Sequence, residues 1–148
     1  MALYTAKGYG IKWKVTTDFL ESWEVAGVIY NSNWAAKNPD LARNFMMAWL
    51  RGARDYYKAA YFGPNRKEVV DIAVKYTRVK DPALYDKMNW FYITPNGYVD
   101  KRSIQDQISW YYKHGYITAG PPLTKVVDDS YVRHALERIG TVEEAPRR

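Results

Sequence analysis

Histidine and cysteine, which often perform acid–base or metal chemistry, are rare or absent in this chain, and the carboxylates show no spacing typical of a metal site. There are two histidines, His114 and His134, and we predict structural or surface roles for both. His114 stands at the end of a predicted helix, where a cation suits the helix dipole. Asp128 and Asp129 resemble a metal pair, but adjacent side chains diverge on a helix and no third ligand stands at helical spacing. A helix cap is the better prediction for them.

Several sequence patterns of enzymes and metalloproteins are absent. The chain contains no cysteine, which excludes disulfides, zinc–thiolate sites and thiol catalysis. It also contains no Gly-rich phosphate loop, nucleophile elbow or HExxH pattern. We therefore predict that the protein is not an enzyme and that it uses no cofactor or metal ion.

Three residues are better candidates for binding a small molecule. Trp23 offers a ring face for stacking, and Glu24 offers an acceptor for amine or hydroxyl groups. Trp90 opens a second aromatic cluster with Phe91 and Tyr92. The alternative is that Trp23 packs in the core, that Glu24 is solvated, and that the cluster at Trp90 covers the apolar face of a helix. The residue types alone leave both interpretations open.

Length and composition indicate an ordinary soluble globular protein. The 148 residues suit one domain, and 47% hydrophobic with 26% charged residues is a typical balance. No apolar run approaches the roughly 20 residues that span a bilayer. The first residues, MALYTAKGYGIKWK, show no apolar stretch after a basic one, so no signal peptide is visible.

The chain is also basic and rich in aromatic residues. Its net charge is +6, and aromatic residues make up 16% of it. Such a composition suits nucleic acid, where Lys and Arg contact phosphates and rings stack on bases. However, the basic residues are dispersed, and the largest clusters are pairs such as Arg66-Lys67 and Lys101-Arg102. Solvated helix faces explain them, and nucleic acid binding is kept as the alternative.

The clearest element that could position these candidates is a helix predicted over residues 38–60. Asn38 is a suitable cap, Pro39 suits the first helical position, and Asp40 complements the helix dipole. The helical wheel predicts a wide buried face. This face comprises Leu41, Phe45, Ala48, Trp49, Gly52, Tyr56 and Ala59, widened by Ala42, Met46, Ala53 and Ala60.

Similar cap and stop signals predict further helices along the chain. Asp100 begins one that Gly115 ends, and Asp128 or Asp129 begins another that Gly140 ends. The turn signal Thr-Pro-Asn-Gly at 94–97 precedes the first of these. Shorter helices are predicted at 31–36 and 81–88, and a longer one at 65–76.

Two segments near the start of the chain predict strands. Residues 11–16 alternate apolar and polar side chains, and VAGVIY at 25–30 is apolar on both parities, which is typical of a strand covered on both faces. Two isolated strands are marginal in water, so we expect most of the sheet to lie elsewhere. The predicted fold class is α/β and helix-rich, with one or two N-terminal strands followed by about five helices.

Four segments, in order along the chain, resemble the C-terminal half of one family of ABC-transporter substrate-binding proteins. This family serves the uptake of nitrate, sulfonate, taurine and thiamin precursors. The first two segments are WEVAGVIYNSNWAAKNPDLARNFMMAWLRGARDYYKA (23–59) and EVVDIAVKYTRVKDPALYDKM (68–88). The others are ITPNGYVDKRSIQDQISWYYKHGYI (93–117) and VVDDSYVRHALERIG (126–140). Their order, rather than any single motif, carries the resemblance.

The resemblance implies the two-lobed, type II Venus-flytrap fold of periplasmic binding proteins. In that arrangement residues 1–22 end the second lobe and cross over, residues 23–140 form the C-terminal part of the first lobe, and residues 141–148 are a flexible tail. Trp23 and Glu24 would then border the cleft between the lobes. Members of the family are normally about twice this length, with a signal peptide and an N-terminal lobe, so the resemblance also implies a truncated chain.

The function that the resemblance implies is that of the solute-binding component of an ABC importer. Such a protein captures a small polar organic solute or an oxyanion in the periplasmic or extracytoplasmic space and delivers it to a membrane permease. The composition leaves a second hypothesis open, namely a stand-alone basic helical module that binds another macromolecule such as nucleic acid.

The unpaired 25–30 segment also predicts how the chain associates. A sheet edge, together with apolar faces that no lobe covers, favours pairing with a second copy. We therefore predict a homo-oligomer that forms through the exposed sheet edge, for example as a strand-exchanged dimer.

Overall fold

The computed structural model describes residues 2–20 and 22–145, without the side chains of Ala2 and Thr17. Within these residues the chain forms eight α-helices and one 3₁₀ turn, and it forms no β-strand. The helices are α1 (Ala2–Ala6), α2 (Ser32–Lys37), α3 (Pro39–Tyr61), α4 (Arg66–Tyr76), α5 (Ala83–Lys87), α6 (Lys101–Lys113), α7 (Leu123–Val126) and α8 (Ser130–Ile139). The 3₁₀ turn covers Thr16–Asp18.

The predicted α/β fold class, with its N-terminal strands from the periplasmic-binding-protein fold, is therefore wrong for the described residues. Segments 11–16 and 25–30 enter no sheet, because the rest of the described chain is helix and loop and offers no strand to pair with. Ile29, predicted to be covered on both faces, is 93% exposed. The homo-oligomer was predicted to form through an exposed sheet edge. The described residues contain no such edge, so this prediction is wrong for them.

Most of the helices are where local signals predict them. Asn31 caps α2 by accepting a hydrogen bond from the Trp34 N–H at 3.0 Å, and Asp100 caps α6 by accepting from Ser103 N–H at 3.0 Å. Gly140 follows α8 with φ of 70°, a conformation that glycine adopts without the steric cost of a side chain. These bonds satisfy backbone groups that a helix end leaves without partners.

The buried face of α3 is rotated from the predicted one. Its buried residues are Ala42, Met46, Leu50, Ala53, Tyr57 and Ala59. Leu41 and Phe45, predicted to face inward, are exposed, whereas Leu50 is fully buried. Apolar side chains cover so wide an arc of this helix that the wheel does not determine which part of the arc packs against neighbours.

The chain divides into two compact units, to which α3 contributes its two halves. We call residues 2–15, 48–97 and 142–145 the α4 unit, and residues 16–20, 22–47 and 98–141 the α6 unit. The core of the α4 unit contains Leu50, Ala53, Tyr57, Ala59, Val70, Leu84 and Tyr85. The core of the α6 unit contains Ala35, Ala42, Met46, Val132, Ala135 and Leu136.

The end of the described chain is attached within the α4 unit. Val142 N–H donates to Asn96 Oδ1 at 3.0 Å, and Asn96 Nδ2 donates to the Val142 carbonyl at 2.9 Å. The flexible tail predicted over residues 141–148 lies partly outside the described residues. No helix in the described part of the chain combines the length and apolar character that crossing a bilayer requires.

Candidate functional site

The N-terminus of α6 is capped by residues from two distant parts of the chain. A helix start often carries a capping box, in which a side chain three residues after the cap reaches back to the cap's own N–H. In α6 that position holds Ser103, which cannot reach back in this way. Glu24 takes the role instead, because its Oε2 accepts from Asp100 N–H at 2.7 Å.

Further hydrogen bonds attach the backbone of Glu24 to the same helix. Glu24 N–H donates to Ser103 Oγ at 2.8 Å, and Gln107 Nε2 donates to the Glu24 carbonyl at 3.0 Å. Ser103 is buried, so water has little access to the hydroxyl that accepts from Glu24 N–H. Ser22 Oγ also hydrogen-bonds to Asp100 Oδ2. The segment around Glu24 is therefore held against α6 by its backbone as well as by its carboxylate.

This attachment forms one wall of a groove of about 290 Å³, which we call the Glu24 groove. It is lined by residues 24–27, Val99, Ile104, Gln107, Ile108 and Tyr111, all within the α6 unit. Most of these side chains are apolar, with a few polar groups among them. Small-molecule sites commonly have this composition, and the smallest have volumes of about 300 Å³.

One carboxylate oxygen and one amide oxygen of groove residues, those of Glu24 and Gln107, have no partner among the described residues. Glu24 uses Oε2 for the cap of α6, whereas its Oε1 accepts no hydrogen bond there. Gln107 donates to the Glu24 carbonyl and to Ser103 Oγ through Nε2, which leaves its Oε1 as an acceptor. The groove can thus offer acceptors to a ligand that carries N–H or O–H groups.

Of the three predicted ligand-binding residues, only Glu24 lines this groove. Trp23 precedes it in the same unit and is 43% exposed, but its side chain does not line the groove. Trp90 lies in the α4 unit, where its Nε1–H donates to the Tyr85 carbonyl at 2.8 Å. The Arg66 guanidinium lies 4.4 Å from the centre of the Trp90 ring, a cation–π contact. These contacts give Trp90 a packing role within its own unit.

Sequence reasoning missed Ser103 and Gln107. The spacing of Asp100, Ser103 and Gln107 places them on one side of the first two turns of α6, which is a visible signal for a shared face. Nothing in the sequence connects that face to Glu24, which is 79 positions before Ser103. The missing information is the tertiary contact between the Glu24 segment and α6.

The histidines and the Asp128-Asp129 pair hold mainly local contacts. His114 Nδ1 lies 2.8 Å from the Trp110 carbonyl oxygen, and its ring stacks on the Trp110 ring. Asp128 Oδ1 accepts from Ser130 N–H at 2.8 Å, and hydrogen bonding to Ser130 lowers the pKa of Asp128. Asp129 occupies the cap position of α8, but its carboxylate pairs with Lys101. No set of three or more potential ligands for a metal ion is assembled among the residues that the structure describes.

No protein-family model, no curated protein and no solved structure matches this chain. The resemblance to the ABC-transporter substrate-binding family therefore stays a prediction that rests on the four segments of sequence.

Proposed function

We propose that the chain binds a small organic solute in the Glu24 groove, and that it does so as the solute-binding component of an ABC importer. The observation that carries the binding proposal is that Glu24, whose Oε1 has no hydrogen-bond partner among the described residues, lines a mostly apolar groove. The importer context rests on the four-segment resemblance. In that context the protein works in the periplasmic or extracytoplasmic space, performs no catalysis and hands its solute to a permease.

The lining of the groove favours a solute that donates hydrogen bonds. Its charged residue is Glu24, and no Lys or Arg lines it. An ammonium or hydroxyl group can therefore be matched, with about 1.5–3 kcal/mol for a hydrogen bond to a charged group. The apolar walls suit a short hydrocarbon part of the same molecule. An oxyanion would meet a carboxylate and no cation, so the amine or hydroxyl class is the better proposal here.

Thermal unfolding with four small probes tests this proposal. A ligand that binds only the folded state stabilises it by about 2.7 kcal/mol at about 100 times its Kd. We expect n-butylammonium and ethanolamine to raise Tm, and taurine and nitrate to raise it less or not at all. If none of the four changes Tm at millimolar concentration, solute binding in this groove is refuted.

A matched pair of glycine variants locates the binding. A Cβ on Gly27 would contact Val99 Cγ1 at 3.9 Å, so Gly27→Val fills the groove without a backbone clash. Gly10 has open space around it, so Gly10→Val is the control. We expect Gly27→Val to weaken n-butylammonium binding about tenfold or more and Gly10→Val to leave it unchanged. Equal affinities in the two variants would place the binding elsewhere.

A second candidate function rests on an exposed aromatic cluster at the C-terminal end of α6. Trp110 stacks with His114 and Tyr116, and Trp110, Tyr112 and Tyr116 are exposed. Exposed rings beside Lys113 are the kind of surface on which single-stranded nucleic acid stacks. Oligonucleotide affinity that falls steeply with salt and is lost in Trp110→Ala would favour this function. Stabilisation by n-butylammonium that is retained in Trp110→Ala would favour solute binding in the Glu24 groove.

A further inference from the structure

The α6 unit contains a second cavity, of about 260 Å³, whose lining differs from that of the Glu24 groove. We call it the His134 pocket. Arg43 of α3 lines it together with Ser130, Tyr131, Arg133, His134 and Glu137 of α8. Two guanidinium groups thus share the pocket with one carboxylate and two hydroxyl groups. A polar pocket with an excess of positive charge suits an anion.

The two arginines retain much of their hydrogen-bonding capacity. Arg133 makes no side-chain hydrogen bond or ion pair with any other described residue. Arg43 contacts Asp40 at 3.4 Å, which is a long and solvent-exposed ion pair of the kind that contributes little. A guanidinium has five N–H donors in a planar fork that matches the oxygens of a phosphate or sulfate.

The hydrogen bonding of His134 determines which ring nitrogen is a donor. Arg138 Nη1 lies 3.0 Å from His134 Nδ1. Because arginine can only donate, Nδ1 is the acceptor, and the proton of the neutral ring is on Nε2. His134 can then donate from Nε2 to a bound anion.

The charges around His134 come from both helices that line the pocket. Desolvation, followed by the positive charges of Arg138 and Arg43, lowers the pKa of His134, while Glu137 and Asp40 act in the opposite direction. Arg133 adds a further positive charge to the lining. The positive potential of the arginines at the ring thus exceeds the negative potential of the carboxylates. A bound anion would reduce this excess of positive potential.

We propose that the His134 pocket is a binding site for a small tetrahedral oxyanion, such as sulfate or phosphate, held by Arg43, Arg133 and His134. This site is separate from the Glu24 groove, and the proposal does not depend on the importer function. A bound anion favours the imidazolium form of His134, in which Nδ1 also carries a proton and no longer accepts from Arg138. By linkage, sulfate affinity increases as the pH falls through the pKa of His134.

An NMR titration of the two histidine rings tests this proposal. We expect sodium sulfate, compared with sodium chloride at equal ionic strength, to raise the pKa of His134 by about 1, as a nearby opposite charge does. His114 is the internal control, because it stacks on Trp110 and does not line the pocket. No change at His134, or an equal change at both rings, would overturn the proposal.

Arginine variants then identify the groups that hold the anion. We expect Arg133→Gln to weaken sulfate binding about tenfold, the loss of one charge-assisted hydrogen bond. Arg102→Gln on α6 is the control, since Arg102 likewise has no ion pair among the described residues and does not line the pocket. Arg43→Gln serves as a second test if Arg133→Gln does not fold. Equal losses in the control and in the pocket variant would indicate nonspecific screening and contradict the site.

A comparison of phosphate with 2-aminoethyl phosphate distinguishes the two sources of such an anion. Both carry the tetrahedral group that the pocket recognises. Tighter binding of the ester indicates that the ligand is a phosphorylated organic molecule. Equal binding indicates that the ligand is the free ion. If neither raises the pKa of His134, the pocket is not an oxyanion site.

Discussion

Trp90 in the α4 unit and Glu24 in the α6 unit are both attached to backbone groups, but they retain different hydrogen-bonding capacity. The single N–H of Trp90 donates to the Tyr85 carbonyl, and Arg66 lies over its ring. Glu24 caps α6 with Oε2, and its Oε1 has no partner among the described residues. A side chain whose polar atoms are all paired serves the fold, whereas one with an unused atom beside a cavity can also serve a ligand.

The same contrast holds for two charged residues. Both carboxylate oxygens of Glu144 in the α4 unit are occupied, since Oε1 accepts from Thr94 and Asn96 and Oε2 accepts from the Tyr92 hydroxyl. Arg133 in the α6 unit has no such partners within the described residues and lines a polar cavity. The two proposed sites are both in the α6 unit, where Glu24 Oε1 and the Arg133 guanidinium have no hydrogen-bond partner among the described residues. We expect a substitution in the α4 core to lower stability without removing a residue of either proposed site.

The largest expected effect tests the stability role of the α4 unit. Leu50 is fully buried there, so Leu50→Ala removes apolar contacts and leaves a cavity, at a cost of about 3 kcal/mol. Leu41→Ala is a matched control, because it changes the same residue type on the same helix at an exposed position. Urea denaturation measures both free energies of unfolding. Similar losses in the two variants would mean that burial in the α4 core does not dominate stability.

A smaller effect is expected at the attachment of Glu24 to α6. Ser103→Ala leaves the partly buried N–H of Glu24 without its acceptor, which costs about 1 kcal/mol. Ser109→Ala is the control, because Ser109 Oγ is exposed and donates to the Gln105 carbonyl within its own helix. Amide hydrogen exchange at Glu24 should accelerate in Ser103→Ala only. Unchanged exchange at Glu24 would show that the bond from its N–H to Ser103 does not hold this segment against α6.

Local sequence signals were sufficient to predict most helices, but they wrongly predicted strands. Asp100 and Gly140 act through their own backbone and nearest neighbours, so a short stretch of sequence predicts the helix ends that they mark. The run at 25–30 has the composition of a buried strand, but a strand needs a partner, and no described segment provides one. Composition indicates what a segment can form, and pairing depends on the rest of the chain.

The candidate site was only partly predictable for the same reason. Glu24 could be proposed from its chemistry, but its bond to Asp100 joins positions 76 apart, which spacing cannot reveal. For Trp90, the sequence left ligand binding and packing open, and the structure gives it packing contacts with Arg66 and Tyr85. Arg133 and His134 lie about 90 positions after Arg43, and nothing in the sequence indicates that the three line one pocket.

The smallest expected effect concerns a paired phenol of the α4 unit. Tyr56 donates to the Phe91 carbonyl at 3.0 Å, and burial raises the pKa of Tyr56 to about 12 from the ordinary value of 10.0. A raised pKa means that the folded state favours the neutral phenol. The contribution of the Tyr56 phenol to the free energy of unfolding is therefore complete below pH 10. It is lost as the pH rises from about 10 towards 12. Because the ring is partly exposed and water screens its charge, we expect a loss of only about 1 kcal/mol.

Tyr56→Phe should flatten this part of the pH dependence, since it keeps the ring and removes the ionising group. The free energy of unfolding of the wild type and of the variant, measured in urea at pH 9, 10 and 11, gives the difference directly. Tyr112→Phe is the control, because Tyr112 is exposed in the α6 unit. If Tyr112→Phe flattened the curve as much as Tyr56→Phe, the burial of Tyr56 would not be the source of this pH dependence.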